Sequence, residues 1–92
     1  MIRRVVRRHH NEIRHCYERS LQAHPELDGR VMTRFIVGPE GSVLSSSVVE
    51  SSLQHAETEL CVTRVLLRLT FPQTDGVIVR VNYPFEFGAV GP

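Results

Sequence analysis

Apolar and polar residues alternate almost without interruption toward the end of the chain, over residues 76–87. The odd positions carry large apolar side chains, and the even positions are mostly polar, with Ile78 as the exception. A period of two is typical of a half-buried β-strand, so the odd face should contact the core. Pro84 has no N–H for a ladder hydrogen bond, which favours an edge strand or a bulge. Because a long apolar edge strand is a template for pairing with another chain, we expect a partner to bind there.

The first part of the chain has the three- and four-residue spacing of an amphipathic helix, over residues 2–23. Arg8 with Glu12, and Arg14 with Glu18, are predicted i,i+4 ion pairs, each worth a few tenths of a kcal/mol. The helix must end before Pro25, since the residue preceding a proline is disfavoured in the α region. Its predicted apolar face consists of Ile2, Val5, Val6, His9, Ile13, Cys16, Tyr17 and Leu21.

Two more strands and a second helix are predicted between these segments. Residues 30–37 alternate, with Val31, Thr33, Phe35 and Val37 on the apolar face, and the tight turn 38–41 leads into a strand over 42–50. Val43 and Val48 are an odd number of residues apart, so sharing one face requires a bulge, which we place in the serine run 45–47. Residues 56–69 then form a helix whose predicted apolar face is Leu60, Cys61, Val65, Leu66 and Leu69.

The element order α-β-β-α-β predicts an α+β fold with two layers. The first two strands form a hairpin, and a right-handed crossover through the second helix places the last strand beside the first. The prediction is therefore a three-stranded antiparallel or mixed sheet of order 2-1-3, with two helices on one face. The 92 residues form a single domain, 1–92.

The sequence resembles a known protein family over nearly its whole length. The segments GRVMTRFIVGPEGSV, VVESS, LTFP and VNYPFEF, in this order, are similar to the TonB C-terminal domain. The leading RRHHNEIRHCYE, with one cysteine in each helix, resembles more narrowly the AgmX/PglI-type domains of gliding bacteria. Two features depart from the family pattern: Glu40-Gly41 replaces the usual Asp-Gly, and His55-Ala56 opens the second helix instead of a small residue or a proline.

The resemblance implies a periplasmic module at the C-terminus of an inner-membrane-anchored, energy- or force-transducing protein, here of the gliding-motility type. We therefore expect the chain to be part of a longer protein whose membrane anchor lies upstream. In relatives, a segment of an envelope or outer-membrane partner adds as a strand to the last strand. The corresponding residues here are Val77, Ile78, Val79, Arg80, Val81, Asn82, Tyr83 and Pro84. The alternative is that the same edge pairs with its own copy in a homodimer.

Cys16 and Cys61 lie on the apolar faces of the two predicted helices, where they can meet. Buried free thiols are the ordinary interpretation, since cysteine is among the most buried residue types, and metal or redox chemistry is a third one. The periplasmic setting implied by the resemblance favours a disulfide between them.

Composition and charge add few candidates for chemistry. The five histidines show no i,i+3 or i,i+4 ligand pair in the first helix, and the chain has no C-x-x-C motif, so we expect no metal site. The net charge of +1 and the absence of aromatic residues among the arginines argue against nucleic acid. The basic first helix is a solvated face or a contact with anionic lipid. No nucleophile elbow or phosphate-binding loop is present, so we expect neither an enzyme nor a cofactor.

Overall fold

The computed structural model describes residues 2–88, and Met1 and residues 89–92 of the predicted domain lie outside the described residues. The elements follow in the order α1 (Ile2–Arg8), α2 (His10–Leu21), β1 (Gly29–Val37), β2 (Val43–Ser51), α3 (Ala56–Leu67) and β3 (Val79–Phe87). This is the predicted α+β order, except that the first helix is divided in two.

The sheet has the order β2-β1-β3, as predicted. β1 pairs antiparallel with both neighbours, so the sheet is antiparallel and not mixed. The predicted apolar face of β1 is confirmed, because Val31, Thr33, Phe35 and Val37 are all completely buried. Phe85 and Phe87 of β3 are buried on the same side, where the helices contribute Val6, Ile13, Tyr17, Val62 and Leu66 to one core.

The last strand is shorter than predicted at its beginning. Val77 and Ile78 lie outside β3 and are 56% and 61% exposed. The reason is the length of the neighbouring strand: Val79 pairs with Val37, the last residue of β1. Beyond Val37 the chain turns away at Gly38, so Val77 and Ile78 have no neighbouring strand to pair with despite their alternating sequence.

The second strand contains the expected bulge, but its predicted position in the serine run is wrong. Ile36 pairs with Ser45 and Val37 with Val43, which leaves Leu44 as the extra residue. At a second irregularity, Met32 pairs with Glu50 and Thr33 with Val48, so Val49 has no partner on β1. The Leu44 side chain packs over Gly38, where a Cβ would lie 3.3 Å from it. With Leu44 displaced, Val43 stays buried and Ser45 to Ser47 pair regularly with β1.

The single first helix predicted over residues 2–23 is interrupted at His9. His9 has φ −107° and ψ 17°, and its N–H donates to the carbonyl of Val6, three residues back. Its imidazole contacts the Glu12 carboxylate at 2.6 Å, and the predicted Arg8–Glu12 pair does not form. The apolar spacing could not reveal this, because Val6 and Ile13 are two helical turns apart and stay on one face. The predicted Arg14–Glu18 pair is confirmed at 3.1 Å.

In α3 (the second predicted helix) and just after it, Val65, Leu66 and Leu69 are buried as predicted, but Leu60 is not. Leu60 is 50% exposed, and Thr58 and Val62 are fully buried instead. The Thr58 hydroxyl donates to the Ser20 hydroxyl at 2.8 Å, which joins α3 to α2 inside the core. At the start of α3, His55 Nδ1 accepts from the Thr58 N–H, so the histidine acts as the N-cap residue.

The β1–β2 turn is attached to the loop that follows α3. The Gly41 N–H donates to Gly38, closing the predicted turn, and the Gly41 carbonyl accepts from the Phe71 N–H at 2.8 Å. A second bond joins the Thr74 N–H to the Pro39 carbonyl. Phe71 also stacks on Phe35 with 5.7 Å between ring centroids. The turn therefore fixes the path by which the chain approaches β3.

Candidate functional site

The outer edge of β3 is a regular strand edge. β3 pairs with β1 through nine consecutive residues without a register shift. The other edge of the sheet, β2, carries two irregularities, a feature by which proteins protect an edge from further pairing. Of the two edges, β3 is therefore the one with an unbroken register, which makes it the candidate edge for an added strand. Residues 79–84 of the predicted partner-binding segment lie in it, and Val77 and Ile78 do not.

The direction of the backbone groups follows from two hydrogen bonds of β1. The Arg30 carbonyl accepts from the Ser52 N–H, and the Gly38 N–H donates to the Ser42 carbonyl, so the even residues of β1 face β2. Since successive residues of a strand face opposite sides, the odd residues of β1 bond to β3. Their partners are the odd residues of β3, from Val79 to Phe87.

The even residues of β3 consequently direct their backbone groups away from β1. The N–H donors on this outer edge belong to Arg80, Asn82 and Glu86, and the same residues and Pro84 supply carbonyls. Pro84 pairs with Met32 at a position where no ladder bond to β1 is needed, so its missing N–H costs the domain nothing. It removes one donor from the middle of the outer edge.

The two faces of β3 differ in chemistry. Tyr83, Phe85 and Phe87 point toward the helices, and the rings of Tyr83 and Phe85 lie 5.0 Å apart. The Thr33 hydroxyl donates to the Tyr83 carbonyl at 2.7 Å, which satisfies a hydroxyl that would otherwise be unpaired in the core. On the opposite, open face, Arg34 Nε donates to the Asn82 side chain at 3.0 Å.

A groove of about 240 Å³ runs between the helices and β3. Its helical wall includes Arg7 of α1 and His10 and Arg14 of α2, and residues 83–87 form the other wall. Sequence reasoning assigned these arginines to a solvated helix face or to a contact with anionic lipid, and it did not place them beside β3. Helical periodicity places them opposite the core, but only the packing of α1 and α2 along β3 shows that they border the edge.

A larger cavity of about 670 Å³ lies between α2 and α3. Its lining combines the half-exposed Leu60 with charged side chains of both signs, such as Glu57 and Arg64. This cavity lies between two helices, whose backbone groups are already hydrogen-bonded within each helix. The β3 groove offers a bound segment both a row of backbone groups and side-chain contacts, so we regard it as the candidate site.

The Cys16–Cys61 disulfide joins α2 to α3, with 5.6 Å between the Cα atoms. Cys16 is buried in the core, and Arg19 Nη2 contacts the Sγ of Cys61 at 3.3 Å. The pairing confirms the interpretation that the resemblance favoured over free thiols. It fixes the position of α2, which forms part of the groove wall.

The histidines are dispersed over the described structure. His9 contacts Glu12, His55 caps α3, and the His24 ring packs edge-on against His55 at 4.9 Å. Within residues 2–88, no group of three His, Cys, Asp or Glu side chains could hold a metal ion.

Tyr17 holds α2 against the end of β3, and its ring stacks on Phe87 with 5.1 Å between centroids. The phenol donates to the Leu27 carbonyl. Burial raises the pKa of Tyr17 above its ordinary value of 10.0, the Asp28 carboxylate raises this pKa further, and Arg14 lowers it. The folded state disfavours the phenolate. The stabilisation that Tyr17 contributes is therefore fully present below pH 10 and is lost as the pH rises through its raised pKa.

We expect Tyr17→Phe to weaken the alkaline loss of stability. The variant should lose roughly 1 kcal/mol at neutral pH with the Leu27 hydrogen bond. Above a pH of about 10, the difference from the natural protein should shrink, since only the natural protein has this phenol to ionise. Urea unfolding of both proteins from neutral to alkaline pH measures the loss at neutral pH and how the difference changes with pH. A difference that stayed constant with pH would contradict the assignment.

Comparisons of the chain with protein-family models, with curated proteins and with solved structures give no match. Within residues 2–88, no helix has the length and the hydropathy needed to span a membrane.

Proposed function

We propose that this domain is a protein-interaction module that binds an extended segment of a partner by β-augmentation along the outer edge of β3. The observation that carries the proposal is the unbroken register of β3 beside a β2 edge with two irregularities. In this mode of recognition, main-chain hydrogen bonds give affinity, and side-chain contacts give selectivity. Donors at Arg80 and Asn82 and the carbonyl of Pro84 would bond to the added strand.

The resemblance to the TonB C-terminal domain supports the same mode of binding. If the resemblance holds, the domain is the periplasmic part of a TonB-like protein that transmits energy or force to an envelope or outer-membrane partner. The narrower likeness to AgmX/PglI-type domains points to gliding motility. The Cys16–Cys61 disulfide is consistent with an oxidising compartment such as the periplasm, where such bonds persist.

Replacing the outward N–H of Asn82 should weaken binding of a peptide strand. The probe is a capped peptide of about eight residues that alternates threonine and glutamate, a length suited to one strand. Asn82→Pro removes one main-chain donor, so we expect about tenfold weaker binding. Asn82→Ala is the matched control, because it removes the side chain and keeps the N–H. The measurement is an NMR titration of the isotope-labelled domain.

The titration should shift the amide signals of Arg80, Asn82 and Glu86 most strongly. Shifts confined to α2 and α3 would contradict the proposal and would point to the cavity between those helices. Sedimentation over a range of protein concentrations tests the homodimer alternative. Self-association that Asn82→Pro abolishes would show that the edge pairs with its own copy instead.

A further inference from the structure

The groove beside β3 carries an excess of positive charge on its helical wall. Arg7 and Arg14 line it, together with His10, and Glu86 is the carboxylate among its lining residues. The Arg14 guanidinium already pairs with Glu18. Arg7 forms no ion pair with any carboxylate within residues 2–88, so its charge is available to a bound segment.

Because side chains of a strand alternate between two faces, an added strand would meet the arginines on one face and Glu86 on the other. Side chains of residues that lie side by side in a sheet point to the same face. A residue of an added strand opposite Tyr83 or Phe85 would therefore point toward the helices, where Arg7 and Arg14 lie. A residue opposite Pro84 would point to the open face, on which Glu86 also lies.

We propose that the segment bound at β3 is acidic on one face, with carboxylates at two positions two residues apart, directed toward Arg7 and Arg14. The inference rests on the proposed function, because it concerns the side chains of a strand whose backbone pairs with β3. Charge complementarity selects an acidic peptide as the occupant: the groove wall offers guanidinium groups that match carboxylates.

The test compares two capped peptides of about eight residues, one alternating threonine with glutamate and the other threonine with glutamine. The two differ only in charge, and both offer the same backbone. We expect the glutamate peptide to bind about three- to tenfold more tightly at about 0.15 M salt, as exposed ion pairs allow, with the difference shrinking at about 1 M salt.

Arg7→Gln should remove most of this preference on a logarithmic scale, since Arg14 already pairs with Glu18 and Arg7 carries the guanidinium without an ion pair within residues 2–88. Arg4→Gln is the matched control, because Arg4 is an exposed arginine of the same helix that lines a different cavity with Phe71 and Pro72. It should leave the preference unchanged. Arg80→Gln tests the open face and should also have no effect on the preference.

The outcomes separate this inference from the proposed function. Equal affinity for both peptides, with shifts at Arg80 and Asn82, would overturn the inference and leave β-augmentation standing. A preference that depends on Arg80 and not on Arg7 would also overturn it. If neither peptide shifts the β3 amides even at millimolar concentration, the proposed function itself fails.

Discussion

Reducing the Cys16–Cys61 disulfide is expected to lower the free energy of unfolding by about 4 kcal/mol. The two cysteines are 45 residues apart, and in the chain-entropy model a cross-link of this span restricts the unfolded chain by that amount. Domains of this size have total stabilities of roughly 5–15 kcal/mol, so the loss is a large fraction. The measurement is urea unfolding with and without a thiol reductant.

The matched control for this experiment is the double variant Cys16→Ala/Cys61→Ala, whose stability should not respond to the reductant. Before reduction, the intact mass should be two hydrogens below that of the reduced chain, as one disulfide requires. Alkylation of both thiols without reductant would contradict the pairing. A stability change below about 1 kcal/mol would contradict the entropic argument.

The disulfide has a consequence for the candidate site as well. It fixes α2 to α3, and Tyr17 of α2 stacks on Phe87 at the end of β3. Arg14 on the same helix borders the groove. We therefore expect reduction to loosen the helical wall. Reduction should then weaken binding of the glutamate peptide more than binding of the glutamine peptide.

Gly41→Ala is expected to destabilise the domain by about 3–4 kcal/mol, more than a typical point substitution costs. Gly41 has φ +96°, and an added Cβ would lie 1.9 Å from the Phe71 carbonyl oxygen. That contact can be relieved only if the loop after α3 moves, which would break the bond from the Phe71 N–H to Gly41 and disturb the packing of Phe71 on Phe35.

Gly76→Ala separates the backbone cost from the contact. Gly76 has φ +84°, and nothing lies within 4 Å of an added Cβ. It should cost about 1 kcal/mol, the penalty for a left-handed alanine. Urea unfolding of both variants gives the comparison. Equal losses would show that the Gly41–Phe71 contact contributes nothing beyond the backbone conformation.

Most of the fold could be predicted from the sequence, because side-chain periodicity and the faces of an element are linked locally. The alternation around Phe35 identified the buried face of β1, and the hairpin and crossover rules then led to the order 2-1-3. Pro84 indicated an edge strand without any knowledge of the neighbours. The Cys16–Cys61 pairing followed from the resemblance rather than from the residue pattern.

The candidate site was only partly predictable. Its backbone part, Val79 to Pro84, was predicted as part of the longer segment 77–84, because a strand edge is a property of one segment and its topology. Its side-chain part, Arg7 and Arg14, was missed because these residues belong to helices distant in sequence from β3. Periodicity says which face of a helix is polar, but it does not say what lies beside that face.

The sequence by itself determined the order of helices and strands apart from the break at His9, the buried face of β1 and the edge position of β3. Tertiary structure alone decided where that strand starts, since Val79 is the first residue opposite the end of β1. It also decided that the bulge lies at Leu44. Displacing Leu44 keeps Val43 in the core, and the serines pair regularly with β1 despite their low β propensity. The physical reason is common to both: periodicity is local, whereas the end of a strand and the place of an extra residue depend on the partner strand.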